Sequence, residues 1–315
     1  MDTLFPLESY SANVGKAKPF LKWAGGKSQL LDQIRNLLPC ELENGVISRY
    51  VEPFVGGGAV FFDASQNFSL NEFVLLDINE DLVLAYLTIK VAADELINLL
   101  AEMENKYRTL PAEDQAAYFY ETRTVFNKTK SQIDYRSFNP GWITRTARIL
   151  FLNRTCFNGL FRVNSRGEFN VPFGRYTNPT ICPSENLRRV SQLLQSAEIR
   201  VGDFEESEPF VDSHTFVYFD PPYRPLNKTA NFTSYAASTF DESDQLRLAR
   251  FFRRLDRLSA KLMLSNSDPK NENPNDDFFE KAYVGFRIER VRASRMINCD
   301  AQKRGQIYEV IVTNY

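Results

Sequence analysis

Histidine and cysteine are scarce in this 315-residue chain, which has one histidine, His214, and four cysteines. A single histidine excludes a site with several histidine ligands and argues against a Ser-His-Asp triad. The cysteines are Cys40, Cys156, Cys182 and Cys299, and no two of them form a CxxC pair. We therefore expect reduced structural thiols and no bound metal.

Long apolar runs are also missing. No run approaches the roughly 20 residues that a membrane-spanning helix needs, and the N-terminal residues lack the basic start and apolar stretch of a secretory signal. The hydrophobic fraction of 43% and the charged fraction of 25% are ordinary for a globular chain. These features predict a cytoplasmic protein without a membrane partner.

The net charge of −2 does not point to nucleic acid, but the distribution of charge does. Residues 1–122 carry 9 Lys and Arg against 18 Asp and Glu, whereas residues 123–189 carry 12 against 3. A basic block of this kind is an electrostatic footprint for nucleic acid. Aromatic and asparagine residues between the arginines favour this interpretation over a solvated basic face.

Two glycine-rich stretches fall short of familiar phosphate-binding patterns. The Gly-Gly-Lys-Ser sequence at 25–28 is not a P-loop, because Leu21 occupies the position of the first glycine. The glycines at 56–58 follow an apolar strand, but Phe61 replaces the third glycine of a dinucleotide motif. Such a turn still lets a ligand approach the backbone. Asp77 ends the next apolar strand roughly 20 residues later, where an acid can bind ribose hydroxyls or cap a helix.

The most distinctive stretch is Asp220-Pro221-Pro222-Tyr223, which follows the apolar residues 217–219. The prolines cannot donate hydrogen bonds, so the strand is predicted to end at Asp220. The Asp220 carboxylate and the Pro221 carbonyl are acceptors that suit an NH2 group, while Tyr223 offers a ring for stacking. This chemistry fits an exocyclic amine on a flat base. The alternative is a purely structural role, in which the strand ends in a Pro-Pro turn and Asp220 is solvated.

Strands and helices alternate, with ligand signals at several strand ends, and this indicates an α/β, doubly wound, Rossmann-like sheet. Residues 286–293 and 306–312 predict a closing antiparallel hairpin. Residues 154–176 predict a second β-hairpin with its turn at 165–167, and residues 224–240 predict a loop that could close over the site. Residues 86–194, mainly helical, are predicted as an insertion between catalytic segments 1–85 and 195–315.

Six motifs in this order resemble the Dam family of DNA adenine-N6 methyltransferases. They are Pro19-Phe-Leu-Lys-Trp-Ala-Gly-Gly-Lys27, Glu52-Pro-Phe-Val-Gly-Gly-Gly58, Leu76-Asp-Ile-Asn79, the pair formed by Phe157-Asn-Gly-Leu-Phe-Arg162 and Gly167-Glu-Phe-Asn-Val-Pro-Phe-Gly-Arg-Tyr176, Gly202-Asp-Phe204, and Asp220-Pro-Pro-Tyr223. Each motif alone is weak, but the ordered set is specific and runs from about residue 18 to the C-terminus.

The resemblance implies S-adenosyl-L-methionine as the cofactor and double-stranded DNA as the substrate, often at GATC. Its cofactor-binding residues would be Trp23, Lys27, Phe54, Gly56, Gly58, Asp77, Asp203, Phe204 and Asp220. Its DNA-binding residues would be Lys22, Asn158, Leu160, Arg162 and Tyr176, and the basic block would belong to an inserted target-recognition domain. The catalytic residues would be Asp220, Pro221 and Tyr223, acting on a base flipped out of the duplex. We expect a monomer in solution that could pair on DNA.

Other functions stay open to different degrees. A C5-cytosine methyltransferase needs a nucleophilic Pro-Cys loop after a strand, and the only Pro-Cys pair, Pro39-Cys40, follows a helical pattern. An N4-cytosine enzyme, an RNA enzyme and a catalytically inactive DNA-binding relative remain alternatives. A nicotinamide dehydrogenase shares the glycine turn and the ribose acid but does not account for Asp220-Pro-Pro-Tyr223.

Overall fold

The computed structural model describes residues 15–23, 25–224, 240–294 and 306–315. Residues 225–239 of the loop predicted to close over the site lie outside these ranges. The described helices are α1 Leu31–Arg35, α2 Cys40–Glu43, α3 Ala59–Asn67, α4 Glu80–Val91, α5 Ala93–Thr109, α6 Ala112–Lys128, α7 Pro140–Thr155, α8 Ser184–Leu194, α9 Glu242–Asp256 and α10 Phe278–Ala282. The described strands are β1 Arg49–Glu52, β2 Glu72–Asp77, β3 Ala197–Val201, β4 Thr215–Phe219, β5 Lys261–Ser267, β6 Arg287–Ser294 and β7 Gln306–Thr313.

The seven strands form one sheet in the order β3-β2-β1-β4-β5-β7-β6. The first five strands of that order are mutually parallel. Strand β7 pairs antiparallel with both β5 and β6. This confirms the predicted doubly wound sheet and the antiparallel C-terminal hairpin.

Hydrophobic layers cover both faces of the sheet, which is why β4 reads as an uninterrupted apolar run. On one face, Tyr50, Phe216 and Tyr218 join a core that includes residues of α3, α4, α5, α7 and α8. On the other face, Val217 and Phe219 pack in a core with residues of α9 and α10. Adjacent strand residues therefore alternate between two separate cores.

The strand order reverses between β1 and β4. From β1 the chain proceeds outward through β2 to β3, and then it returns to β4 on the other side of β1. In open α/β sheets, ligands bind outside the carboxyl ends of the strands at such a reversal. The glycine turn follows β1 and Asp220 follows β4, so both lie at this position.

Five helices, α4 to α8, separate the neighbouring strands β2 and β3. Residues 86–194, which we predicted as an insertion, lie within this region. The predicted boundary between residues 85 and 86 falls inside α4. Buried side chains of this region, such as Leu96 and Phe151, belong to the same core as Tyr50 and Phe216 of the sheet. The helices are thus packed onto one face of the sheet and share its core.

Residues 156–176, here called the 156–176 loop, differ from the hairpin that we predicted. The turn lies close to its predicted position, since the Gly167 N–H donates to the Asn164 carbonyl at 2.8 Å. The flanking segments pair only at two isolated antiparallel bridges, Cys156 with Phe173 and Val163 with Phe169. Backbone hydrogen bonds join Asn164 to Glu168 and Asn170 to Arg162 beside the second bridge, but the pairing does not extend into regular strands.

Candidate active site at the carboxyl edge of the sheet

The predicted ligand residues converge on one edge of the sheet. The turn at 54–58 follows β1, Asp77 ends β2, Asp203 and Phe204 follow β3, and Asp220 follows β4. Parallel strands place their carboxyl ends together, so four separate stretches of sequence meet in space. A fifth stretch joins them, because the Lys27 side chain reaches Asp220.

The glycine turn is built around Trp23. Gly56 and Gly58 have φ of 46° and 68°, in the left-handed region that favours glycine. A Cβ at Gly56 would lie 2.9 Å from the Trp23 ring. Asp77 supports the same turn, because its Oδ2 accepts the Gly56 N–H at 3.1 Å. Even a small side chain here would displace the turn from Trp23.

Asp77 and its neighbours divide the two roles that the sequence left open. Asn79 is the cap of α4, since its side chain accepts the Leu82 N–H at 3.1 Å. Burial raises the pKa of Asp77 to about 6, and backbone N–H groups of Asn79 and Gly56 oppose that shift. Ile78, which lies between Asp77 and Asn79 in the sequence, is 57% exposed at the carboxyl edge of the sheet and was not singled out from sequence.

Asp220 lies in a compact polar cluster. Its Oδ1 accepts a hydrogen bond from Lys27 Nζ at 2.6 Å and one from the Ser265 hydroxyl at 3.4 Å. Lys27 also donates to the Gly25 carbonyl at 2.8 Å. The Tyr223 ring is 37% exposed, and its hydroxyl donates to Glu309 at 2.9 Å. The predicted acid and ring therefore lie side by side, with a buried cation between them.

The electrostatics of this cluster follow from burial and from its charged partners. Burial alone would lower the pKa of Lys27, but Asp220, Tyr223 and Glu309 raise it well above its ordinary value. These neighbours therefore favour the protonated ammonium form of Lys27. Burial raises the pKa of Asp220, and the Lys27 ammonium opposes that shift. A buried cation at 2.6 Å favours the ionised carboxylate, which is the form that accepts hydrogen bonds.

Asp203 and Phe204 are close to the site but are already engaged. Strand β3 ends at Val201, two residues before Asp203, which caps the next helical turn and accepts two hydrogen bonds from Arg247, each at 2.8 Å. Phe204 is 2% exposed and stacks on Phe54 at 5.5 Å. Phe240 packs edge-on against both rings. A cofactor ring would reach Phe204 only after Phe54 or Phe240 shifts.

The predicted DNA-binding residues come together at the 156–176 loop and the segment before Lys27. The Lys22 ammonium lies over the Tyr176 ring, 5.2 Å from its centre. Asn158 has φ of 56°, a strained conformation for any residue except glycine, though one that asparagine tolerates. Leu160 is half-buried, and Arg162 Nε donates to Asn170 at 2.8 Å. Phe157, which the sequence did not single out, is 52% exposed beside Asn158.

Asn153, also unpredicted, ties these two segments together. Its amide accepts the Lys22 N–H at 2.8 Å and donates to the Lys22 and Gly159 carbonyls. A further link is the stack of Trp23 on Phe161, at 5.5 Å between ring centres. The segment from Lys22 to Lys27 therefore connects the 156–176 loop to the glycine turn and to Asp220.

Glu309 was missed as well, although a signal was present. It is an acid on the face of β7 that also carries Ile311, a core residue. An acid at a core-facing position needs a partner, and here the partners are Tyr223 and Lys27. Among the described residues, no group of three or more His, Cys, Asp and Glu is arranged to hold a metal ion. In the same ranges, no helix is long and apolar enough to cross a membrane.

A sheet of this order with its ligand residues at the reversal is consistent with a Rossmann-like methyltransferase. Comparison with known proteins defines the class further. Residues 23–297 match the family described as D12 class N6 adenine-specific DNA methyltransferase, and the chain belongs to that family. The prediction of an adenine-specific DNA methyltransferase is therefore confirmed, and the family assigns adenine where the catalytic motif left cytosine open.

Named relatives agree with this assignment. The chain is 50% identical over 301 residues to the type II methyltransferase M.MjaIII of Methanocaldococcus jannaschii, covering 95% of this chain and 100% of that protein. It is 38% identical to the type II methyltransferase M1.LlaDCHI of Lactococcus lactis subsp. cremoris, covering 95% of each. It is 35% identical over 296 residues to the DNA adenine methylase of Escherichia coli K12, covering 94% of this chain and 95% of that protein.

Proposed function

We propose that this protein transfers a methyl group from S-adenosylmethionine to N6 of an adenine in duplex DNA, within GATC, after the adenine has flipped out of the helix. The observation that carries the proposal is the position of Asp220. It follows the strand next to the glycine turn, it is held by Lys27 and Ser265, and it has the Tyr223 ring beside it.

Adenine N6 needs activation because its lone pair is delocalised into the ring. The Asp220 carboxylate and the Pro221 carbonyl would accept the two N6 hydrogens and favour a tetrahedral nitrogen whose lone pair can attack. The bond from sulfur to the methyl group would break as the bond from N6 to that methyl forms, and the proton that N6 then loses would pass to water. The chain contributes alignment and acceptors placed for the charge that develops on N6.

The cofactor fits the residues that surround Asp220. S-Adenosylmethionine supplies the methyl group when it is bound. The left-handed turn of Gly56 and Gly58 permits close approach of the ligand to the backbone, and Asp77, which accepts the Gly56 N–H, would also accept the ribose hydroxyls. Trp23 and Phe54 line the turn, and Asp203 and Phe204 would flank the adenine ring. The cationic sulfonium suits a site where Asp77, Asp220 and Glu309 outnumber Lys27.

Duplex DNA would bind across the 156–176 loop, with Lys22, Asn158, Leu160, Arg162 and Tyr176 as contacts and residues 86–194 as the recognition domain. The net positive charge of residues 123–189 supports this surface. Tyr223, whose ring is partly exposed, would stack on the flipped base. The exposed Phe157 ring is available to fill the space that the base leaves in the duplex.

One experiment tests substrate, atom and site together. The protein is incubated with labelled S-adenosylmethionine and genomic DNA, and methylated positions are mapped at base resolution. N6-methyladenine confined to GATC is the expected result. Methylation of adenine in another sequence would show that GATC is not the recognition sequence but would leave the proposed mechanism intact. Methylation of cytosine would overturn the proposal.

The role of Asp220 is tested by Asp220→Ala and Asp220→Asn. Loss of the acceptor should lower kcat by about 10²–10³-fold or more, with DNA binding retained. The matched control is Asp32→Ala, whose carboxylate is 93% exposed on α1 and should leave kcat unchanged. Substantial turnover by both Asp220 variants would contradict the mechanism.

A further inference from the structure

A further acid of the site, Glu309, belongs to none of the motifs that define it. Glu309 lies on β7 and pairs with Ser267 of β5, the strand that also carries Ser265. It is 5% exposed. The antiparallel hairpin thus brings an acid from the end of the chain to the carboxyl edge of the parallel strands.

The two carboxylate oxygens of Glu309 face different partners. Oε1 accepts the Tyr223 hydroxyl at 2.9 Å. Oε2 lies 3.6 Å from Lys27 Nζ and has no hydrogen-bond partner within the described ranges. Lys27 meanwhile donates to Asp220 at 2.6 Å. One cation therefore lies between two acids, and it is hydrogen-bonded to only one of them.

Burying this acid is costly, so its retention calls for an account. A buried carboxylate with one oxygen that accepts no hydrogen bond is less stable than an apolar side chain of similar shape. Burial raises the pKa of Glu309, and Lys27 opposes that shift. The neighbouring strand positions, Val310 and Ile311, are apolar and fully buried. Packing alone does not favour an acid at position 309.

We propose that Glu309 is a positioning residue for methyl transfer, which fixes the Tyr223 ring through its hydroxyl and provides Lys27 with an alternative acceptor when the target amine binds Asp220. This inference rests on the roles proposed above for Asp220 and Tyr223. Both described hydrogen bonds to Asp220 reach Oδ1, so an amine that donates to Oδ1 competes with the Lys27 ammonium for that oxygen. Glu309 Oε2 lies 3.6 Å from Lys27 Nζ, so a small movement of Lys27 completes a hydrogen bond to Glu309 and leaves Asp220 to the base.

The decisive variant is Glu309→Gln, which keeps size and shape but removes the charge. We expect kcat per folded enzyme to fall about 10-fold, while KM for DNA and for S-adenosylmethionine changes less than 2-fold. The melting temperature should stay level or rise, because a buried charge is removed. A structural role would lower the melting temperature and leave kcat per folded enzyme unchanged, and that result would overturn the inference.

A double-mutant cycle separates the two contacts. Tyr223→Phe removes the hydroxyl that donates to Glu309 and accepts from Lys27 at 3.5 Å, and Glu309→Ala removes the contacts of both Glu309 oxygens. If Glu309 acts partly through Tyr223, the double variant loses less activity than the product of the two single losses. Full multiplication of the losses would overturn that part of the proposal. Glu309→Asp keeps the charge and should recover part of the activity that Glu309→Gln loses.

Thr313→Val is the matched control. Thr313 is 4% exposed on the same face of β7, and its hydroxyl donates to the Tyr315 carbonyl at 3.2 Å. Its loss should leave kcat unchanged. Asp220→Ala tells the two proposals apart. If that variant is inactive while Glu309→Gln turns over at the wild-type rate, only the role of Glu309 fails. If Asp220→Ala is active, the proposed mechanism fails as well.

Discussion

The sheet edge and the 156–176 loop hold their functional side chains in different ways. Asp220 extends from a regular strand, and the side chains of Lys27 and Ser265 fix its carboxylate. In the loop the backbone itself is held by side chains from the helices. Asn127 of α6 exchanges two hydrogen bonds with the Phe169 backbone, at 2.8 and 3.0 Å. Arg123 donates to the Val171 carbonyl at 3.2 Å.

Under the proposed function, this difference separates chemistry at the strand end from DNA recognition by the loop. A strand end gives a catalytic group a fixed position, and it tolerates little change because its neighbours are ladder-bonded. An irregular loop held by a few helix side chains can exchange its own outward residues without moving the strands. Substitutions that alter the sequence read by the protein should therefore be found in the loop, while Asp220 and its partners stay constant.

The largest expected effect is on stability, and it comes from breaking the buried ion pair that joins α7 to α4. Arg145 of α7 is fully buried and donates to both oxygens of Asp81 in α4, at 2.7 and 2.8 Å. It also donates to the Phe126 carbonyl at 2.5 Å. Arg145→Met would leave Asp81 as an uncompensated buried charge, which costs about 3–5 kcal/mol of unfolding free energy.

Urea unfolding followed by circular dichroism measures this loss. The control is Arg188→Met, which removes an exposed pair with Asp94 at 3.0 Å and should cost at most about 1 kcal/mol. Adding Asp81→Leu to Arg145→Met should recover much of the stability, because no unpaired charge is then buried. If Arg145→Met and Arg188→Met lowered the unfolding free energy equally, the buried pair would not be what stabilises the packing of α7 on α4.

A smaller effect, on specificity alone, is expected at Arg162. Of its nitrogen donors, Nε is the one with a hydrogen-bond partner in the described part of the chain, Asn170. The terminal nitrogens are available for a base edge. Arg162→Ala should reduce discrimination at one base pair by about 1–3 kcal/mol, with little change in kcat on the best sequence.

Competition between DNA duplexes that differ at single positions measures this discrimination. Arg166→Ala serves as the control, since that side chain is 79% exposed and pairs with Glu168 at the turn. It should weaken all sequences equally, if at all. A uniform loss for Arg162→Ala would identify Arg162 as a phosphate contact.

Much of the sheet edge could be predicted from sequence because its signals are local. Apolar runs that end in Asp77 or Asp220 mark strand ends, and parallel strands bring such ends together. The buried pair of Arg145 and Asp81 could not be predicted, because it depends on how α7 packs against α4. Glu309 depends on the pairing of β7 with β5. Both contacts join residues that are far apart along the chain.

The 156–176 loop was harder to predict for another reason. Its alternating aromatic and polar residues are typical of paired strands, and the turn residues around Gly167 support a hairpin. Asn127, Arg123 and Asn153 lie in helices outside the loop, and their side chains bond the backbone of Phe169, Val171 and Gly159. A pattern within one segment cannot reveal such partners, because they lie in other elements.

The smallest expected effect is a pH dependence of S-adenosylmethionine affinity. It would arise at the sheet edge and not in the 156–176 loop, so it would separate the two regions further. Burial raises the pKa of Asp77 to about 6 from an ordinary value near 3.8. Between those values the folded protein binds more protons than the unfolded chain, so the contribution of Asp77 to stability decreases as pH rises through this window. Below pH 6 the protonated group is a poorer acceptor for ribose hydroxyls, and S-adenosylmethionine affinity should fall by up to about tenfold per pH unit.

Calorimetric titration from pH 7.5 to 5 measures this dependence. Asp77→Asn should bind weakly and nearly independently of pH. Asp203→Asn is the control: burial would raise the pKa of Asp203, but hydrogen bonds from Arg247 hold it below its ordinary value. Asp203 thus stays charged over this range, and its variant should keep the wild-type pH dependence. If Asp77→Asn retained the wild-type pH dependence, the titrating group would be another acid of the sheet edge. Asp77 would then serve only to support the glycine turn through the Gly56 N–H.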